Sequence, residues 1–453
     1  MTSRPKPKKP RQNVTRSQAP AGPKSKAPPK APTSPQISQA VLAALTLQEQ
    51  GTSLDLALSK ALKDASALEP SERRQVVRDL HAINRHRMRL SWHLRQEQSR
   101  VSPHHLFLAW AAFESRVAPK GGRYSDSDRA LMQQIASRTL HDPAIPLAVR
   151  VECPPAFEPL LREALGNDFE REMQASLEPA PIDLRVNLLK DKVDETRTRL
   201  RHERVFAERL PYSPLGLRCT TNANISSTSA FREGLIEFQD EGSQLAALLC
   251  DARPGMQVID FCAGTGGKTL ALAAAMKNKG HLVACDISTV RLARAKQRLL
   301  RAGVENAERK LLPAEDDKWM KKHYARFDRV LIDAPCSGTG SWRRNPDSRW
   351  STQAANIDEL TALQDSILIR ASRLVKPGGR LIYATCSLLP RENDQRVATF
   401  LAGHPDFTAL DARDVWRDVA KHAWPCGEER VLRLSPARHG TDGFFAAILQ
   451  RAK

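Results

Sequence analysis

The spacing of apolar residues divides this chain into regions before any motif is read. From Ser38 to about Leu140 they recur at three- and four-residue intervals, in "ISQAVLAALTLQEQG", in "SLDLALSKALKD" and through the longer "EPSERRQVVRDLHAINRHRMRLSWHLRQEQ". That interval gathers apolar side chains on one helix face and predicts an all-helical region over 38–145. Prolines between His141 and Pro155 mark a boundary. A mixed segment follows: "AFEPLLREALGNDFEREMQASLE" and "KVDETRTRLRHE" read as helices, "PIDLRVNLL" as a strand and "RLPYSPLGLRC" as extended chain. Together these predict a small α+β module over residues 155–235.

From residue 236 to 453 the pattern alternates. Short β-prone runs ("MQVIDFC", "HLVACD", "RKLL", "FDRVLIDA", "GGRLIYATCS") are separated by helical segments such as "TVRLARAKQRLLRAG" and "NIDELTALQDSILIRASRLV". Strands alternating with helices of this length predict an α/β fold with a doubly wound, mainly parallel sheet. In such sheets ligands sit outside the carboxyl ends of the strands, so residues at those ends are the first candidates for chemistry.

Charge narrows the partners. The 453-residue chain carries 70 Lys and Arg against 51 Asp and Glu, a net +19. Nine of those charges lie in residues 1–37, a Pro-rich stretch without a single acid, which leaves +10 on the rest. The tail is expected to be a disordered basic extension, and the surplus suits a polyanion, nucleic acid above all. The segment with Arg73, Arg74, Arg78, His81, Arg85, His86, Arg87 and Arg89 is expected to present a basic, phosphate-gripping face. No apolar run is long enough for a membrane helix, and no h-region of a signal peptide is seen. Eight cysteines scattered without a C-x-x-C pair argue against a disulfide framework and a zinc ribbon. A cytoplasmic monomer without a metal is expected.

"VIDFCAGTGGKTLALA" is a strand, a glycine-rich turn and a helix. Its glycines, Gly264, Gly266 and Gly267, match neither the dinucleotide spacing G-x-G-x-x-G nor a P-loop, which disfavours a dehydrogenase and a triphosphate. Asp286 ends the next strand twenty residues after Gly266, where an acid can accept from a ribose diol, although it also suits a helix N-cap. Turn and acid together predict an adenosine-bearing cofactor.

Two further strands end in cysteine: Cys336 in "DAPCSGTG" and Cys386 in "YATCS". A thiolate can add to C6 of a pyrimidine, which makes C5 nucleophilic towards a methyl donor. The C5 proton must then leave and the thiol be expelled, so a second polar group is needed at the base. Asp333 is expected to serve as a protonated donor to the ring. After Cys336, "SWRRNPDSRW" mixes Trp342 and Trp350 with Arg343, Arg344 and Arg349, a pattern expected to stack bases and hold phosphates.

Through "FQDEGSQLAALL", "DFCAGTGGKT", "ACDIS", "DAPCSGTG", "RRNPD", "KPGGRLIYATCS", "RENDQ" and "DGFFAAIL", residues 234–451 resemble the RNA cytosine-5 methyltransferases of the Sun/Nop type, which use S-adenosylmethionine. The resemblance implies a Rossmann-like class I methyltransferase domain. It makes Cys386 the nucleophile at C6 and gives Cys336 a part in releasing the product. Cys262, Ala263, Gly264, Thr265, Gly266, Gly267, Lys268, Asp286 and Asp333 would line the cofactor and base pocket, with Lys268 near the reacting groups and one acid of "KLLPAEDDKW" at the adenine, Glu315 ahead of Asp316 and Asp317. The turn departs from the family, which commonly has Pro-Gly-Gly-Lys after Cys-Ala where this chain has "CAGTGGK".

Through "LDLALSKAL" and "LEPSERRQVVRDLHAINRHRMRLSWHL" the chain resembles the NusB-like helical RNA-binding domain of the bacterial ribosomal RNA member of the family, and through "PIDLRVNLLK" and "LPYSPLGL" the small RNA-binding module that precedes the catalytic domain. That layout implies small-subunit ribosomal RNA as substrate rather than tRNA. A DNA cytosine methyltransferase would not carry the Thr-Cys-Ser cysteine. A non-catalytic RNA-binding factor on the same fold would not require Cys336, Cys386, Asp333 and Lys268.

Overall fold

The computed structural model describes residues 34–114, 124–221, 223–313, 317–351, 356–420 and 422–453. Most of the basic tail and Glu315 lie outside them. Six helices from Pro35–Glu49 to Asp126–Ala136 pack around Val41, Leu80, Leu90, Leu94, Phe107 and Ile135. The long basic segment is two helices, not one. Pro70–Arg85 ends at His86, whose φ of −116° and ψ of 22° leave helical geometry, and Arg87–Gln96 follows it directly. At the break the His86 ring meets the guanidinium of Arg89 at 2.6 Å. The segment 156–178 likewise breaks, at Gly166 (φ 51°), into helices Glu158–Leu165 and Phe169–Ala175.

The next unit is a four-stranded antiparallel sheet. Its strands are β1 (Asp183–Val186), β2 (Ala207–Arg209), β3 (Gly216–Cys219) and β4 (Ile236–Phe238), in the order β2-β3-β1-β4. Leu184, Leu200, Leu217 and Ile236 form its core.

The larger sheet contains β5 (Gln257–Asp260), β6 (His281–Asp286), β7 (Ala307–Leu311), β8 (Phe327–Asp333), β9 (Val375–Thr385), β10 (Phe407–Leu410), β11 (Leu432–Leu434) and β12 (Phe444–Arg451). The order is β10-β12-β9-β8-β5-β6-β7, with β11 also on β12. From β9 to β7 all pairs are parallel, while β12 runs antiparallel against β9, β10 and β11. Leu272 and Met276 pack with Trp416 in one core, and Leu368 and Ala371 pack with Phe400 in another. Both faces are therefore covered, as near-continuous apolar strands require. This is the Rossmann-like, doubly wound α/β architecture that the alternation predicts. β8 and β9 are adjacent and in parallel register, Asp333 opposite Ala384, so the loops leaving both strands emerge on one edge.

Candidate active site

A cavity of about 750 Å³ opens at the carboxyl ends of the parallel strands. Its inner wall is the turn after β5. Gly266 (φ 83°) is the N-cap of helix Gly267–Ala275, and a Cβ there would lie 3.2 Å from the Cβ of Ala295, so glycine lets the next helix approach. Cys262, Ala263, Gly264, Thr265, Gly267 and Lys268 line the cavity, whereas Gly266 is spent on the turn itself. Asp286 also lines it, 5% exposed. Its carboxylate accepts from Gly264 N and Ser288 N, both at 2.8 Å, and pairs with Arg291 at 3.2 Å. Carboxylate oxygens have lone pairs to spare beyond these contacts, so the acid can still accept from a ribose diol.

Below the turn lies an acid to which the sequence reading gave no role. Asp260 ends β5 with no exposure and lines the cavity. Thr269 Oγ1 donates to its Oδ2 at 2.7 Å, and its Oδ1 has no hydrogen-bond partner among the described residues. Burial pushes its carboxyl up to about 7.

The two cysteines meet. Their sulfurs are 3.5 Å apart, and Cys386 lines the cavity whereas Cys336 lies behind it. The thiol of Cys336 is pushed well up, first by its hydrogen bond with Cys386 and then by burial, which favours its protonated form. A second residue without an assigned role holds both loops. Glu392, fully buried, accepts from Ser337 N (2.8 Å), from Ser337 Oγ and Ser387 Oγ (both 2.5 Å) and from Gln364 Nε2 (3.0 Å). Its signal was the "RENDQ" motif, whose neighbour Asn393 also accepts from Thr385 Oγ1 at 2.6 Å.

Asp333 stands at the end of β8, 36% exposed at its side chain, with Lys268 Nζ at 2.5 Å. In this contact Lys268 donates and Asp333 accepts. Lys268 also sits 4.9 Å from the ring centre of Phe444. Across the cavity, Asp240 accepts from Arg344 Nη2 (3.2 Å) and Asp442 N (3.1 Å). Burial, and then the neighbouring Asp442, push Asp240 up to about 6.

Two expectations for RNA contact fail on burial. Trp342, Arg343 and Arg349 are at most 5% exposed. Arg343 donates to Asp442 at 2.7 Å, while Arg349 donates to Glu152 O and Ser176 Oγ and lies over Trp342. "SWRRNPDSRW" is thus largely a joint. Trp350 Nε1 donates to Asn84 O, Arg85 to Arg343 O, and Leu54 N to Asp347, which tie the helical region to the loop after Cys336. In the basic helices Arg89 is 2% exposed and paired with Glu152, and Arg73 donates to Leu62 O, whereas Arg74, Arg78 and Arg95 are exposed to solvent. The helical pattern gave spacing correctly but could not tell an inward arginine from an outward one.

Residues 247–450 match the model of the family described as 16S rRNA methyltransferase RsmB/F, and residues 159–226 match the RsmF/B-like, ferredoxin-like domain. The chain is 34% identical over 301 residues to ribosomal RNA small subunit methyltransferase B of Pasteurella multocida, covering 64% of this chain and 63% of that protein. It is 33% identical over 291 residues to the protein of the same name from Pectobacterium carotovorum, with 64% of each covered. The chain thus spans just under two thirds of the length of these relatives. Its structure resembles that of PH0851, with a TM-score of 0.76 and 26% identity over 92% of this chain and 99% of that one. It also resembles a methyltransferase homologue from Pyrococcus horikoshii, with a TM-score of 0.58 and 30% identity over 67% of this chain and 97% of that one.

Proposed function

The chain belongs to the RsmB/F family of 16S rRNA methyltransferases, and on that premise we propose that it methylates C5 of a cytosine in small-subunit ribosomal RNA, using S-adenosylmethionine and a covalent Cys386–C6 intermediate. One observation carries the reading: two thiols in contact at the ends of adjacent parallel strands, of which only Cys386 faces the cavity. A binding module has no need of such a pair.

The residues divide the work. The turn at 262–268 and Asp286 would hold the cofactor, since both line the cavity and Gly264 N ties them together. When bound, S-adenosylmethionine supplies an electrophilic methyl group on a sulfonium sulfur. Cys386, as thiolate, forms the bond to C6, and the electron pair of the C5–C6 double bond shifts towards C5. The sulfur of Cys336 lies 3.5 Å from the attacking sulfur, within reach to hydrogen-bond with it. Lys268 and Asp333 present a donor and an acceptor side by side, complementary to the ring acceptors and the exocyclic amine of cytosine. After transfer the C5 proton passes to solvent water, its bonding pair restores the C5–C6 double bond, and the C6–S bond breaks to regenerate the Cys386 thiolate, the step in which Cys336 assists. Glu315, which the family resemblance puts at the adenine, lies outside the described residues.

Bisulfite sequencing of ribosomal and transfer RNA from cells with and without the protein tests the reading. Loss of one ribosomal 5-methylcytosine is expected. Loss confined to tRNA would move the substrate, and no loss would remove the cytosine assignment.

A further inference from the structure

The chemistry above leaves the four-stranded module without a task, yet its side chains reach the cofactor turn. We propose that Glu237 of β4 is a positioning residue for S-adenosylmethionine, acting through Arg298 on Thr265; this rests on reading the cavity as the cofactor site. Glu237 is 2% exposed and accepts from Arg298 Nη2 at 3.0 Å and Nε at 3.3 Å. The same guanidinium donates through Nη1 to Thr265 O and Thr265 Oγ1, each at 3.0 Å, and itself lines the cavity. A single side chain therefore joins the module to the glycine-rich turn.

The helix that carries Arg298, Thr289–Ala302, is gripped at its end by the same module. The last carbonyls of a helix lack intrahelical partners. Here Asn187 Nδ2 donates to Ala302 O at 2.8 Å and Lys190 Nζ to Arg301 O at 2.7 Å. Gly234, at φ +73°, lets the module's backbone press against this end, since a Cβ there would stand 2.2 Å from Arg301 O. At its other end the helix bears Arg291, the partner of Asp286. Brace and ribose acid are thus both referred to one helix, and the module sets where that helix lies.

Charge explains why Glu237 is the key member. It accepts from Arg298 and Arg301 and faces the buried Arg185 across the β1–β4 pair. Without its charge the buried Arg185 and the part-buried Arg298 and Arg301 are left together with no acid between them, and repulsion drives Arg298 outwards, away from Thr265.

The test uses the full chain and four proteins: wild type, Glu237→Gln, Arg298→Lys and Arg301→Leu. Affinity for S-adenosylmethionine is measured by calorimetry, and kcat and KM are measured on RNA. Glu237→Gln is expected to weaken cofactor binding about tenfold or more, the scale of one charged hydrogen bond. Its kcat at saturating cofactor stays within about twofold, because the chemical groups are untouched. Arg298→Lys, which keeps the charge but cannot span both sites, shares the loss. Arg301→Leu removes the other partner of Glu237, does not touch Thr265, and keeps wild-type cofactor affinity. Equal weakening by Arg301→Leu and Glu237→Gln, or a fall in kcat with cofactor affinity intact, would reduce Glu237 to holding the fold and overturn the proposal. A wild-type protein that binds no S-adenosylmethionine would overturn the cofactor reading itself, and the proposal with it.

Discussion

Cys336 and Cys386, fifty positions apart in sequence, have their sulfurs 3.5 Å apart. Parallel pairing of β8 with β9 puts Asp333 opposite Ala384, so each cysteine follows its strand by a few residues onto the same edge. The two should nevertheless behave differently on substitution, because Cys386 alone faces the cavity. Cys386→Ala is expected to abolish turnover, by about a thousandfold or more, while cofactor affinity stays near wild type. Cys336→Ala should still attack and then stall, leaving a covalent protein–RNA adduct on a denaturing gel. An adduct from Cys386→Ala instead would exchange the two roles.

Glu392 clamps the loops that carry both sulfurs. Glu392→Ala strands Ser337 N and the hydroxyls of Ser337 and Ser387 without their acceptor in a buried site. A stability loss of about 3 kcal/mol is expected from such orphaned groups. The thiols should lose register as well, with kcat falling at least about a hundredfold. Glu392→Gln, which retains acceptor capacity, should recover part of both. Thermal unfolding and turnover measured on the same preparations check this, and full activity in Glu392→Ala would show that the loops hold themselves.

Asp260 makes stability depend on pH in a stated direction. Its carboxyl is raised by burial from 3.8 to about 7, so the folded protein binds a proton more tightly than the unfolded chain does. The contribution is present in full below about pH 4 and is lost as pH rises through about 7. Asp260→Asn has no charge to bury, so its melting temperature relative to wild type should rise between pH 5 and pH 8. The same difference at both pH values would mean that Asp260 is ionised throughout.

The helical region offers a separable test of RNA contact. Arg74 and Arg78 are exposed, whereas Arg349 is buried in the joint. Replacing Arg74 and Arg78 by Ala should weaken RNA binding and flatten the dependence of log affinity on log salt by about 0.7 per lost phosphate contact. Arg349→Ala should leave the slope of the folded protein unchanged and lower stability by about 3 kcal/mol through the abandoned carbonyls of Glu152 and Ser176. Deleting residues 1–140 removes contact residues and joint together, so it should flatten the slope while S-adenosylmethionine affinity persists. An unchanged slope in both the double variant and the deletion would make this charge a solvated surface only.

By itself the sequence determined what depends on local order along the chain. The alternation of apolar runs with helical segments was sufficient for the doubly wound sheet, since strand and helix periods are properties of consecutive residues. The turn at 262–268, the acid at 286 and the cysteines at strand ends were legible for the same reason: a ligand site outside the strand ends is written at fixed offsets from each strand. Tertiary structure decided what depends on residues far apart. Nothing within "YATCS" says that Glu392 will bind its serine, and nothing within "SWRRNPDSRW" says that Arg349 will point into the fold. An arginine has the same pattern whether it meets phosphate or a buried carbonyl, because direction is set by the packing of another element. The ion pair of Lys268 with Asp333, and the reach of Glu237 through Arg298 to Thr265, likewise exist only once separate strands and helices have been brought together.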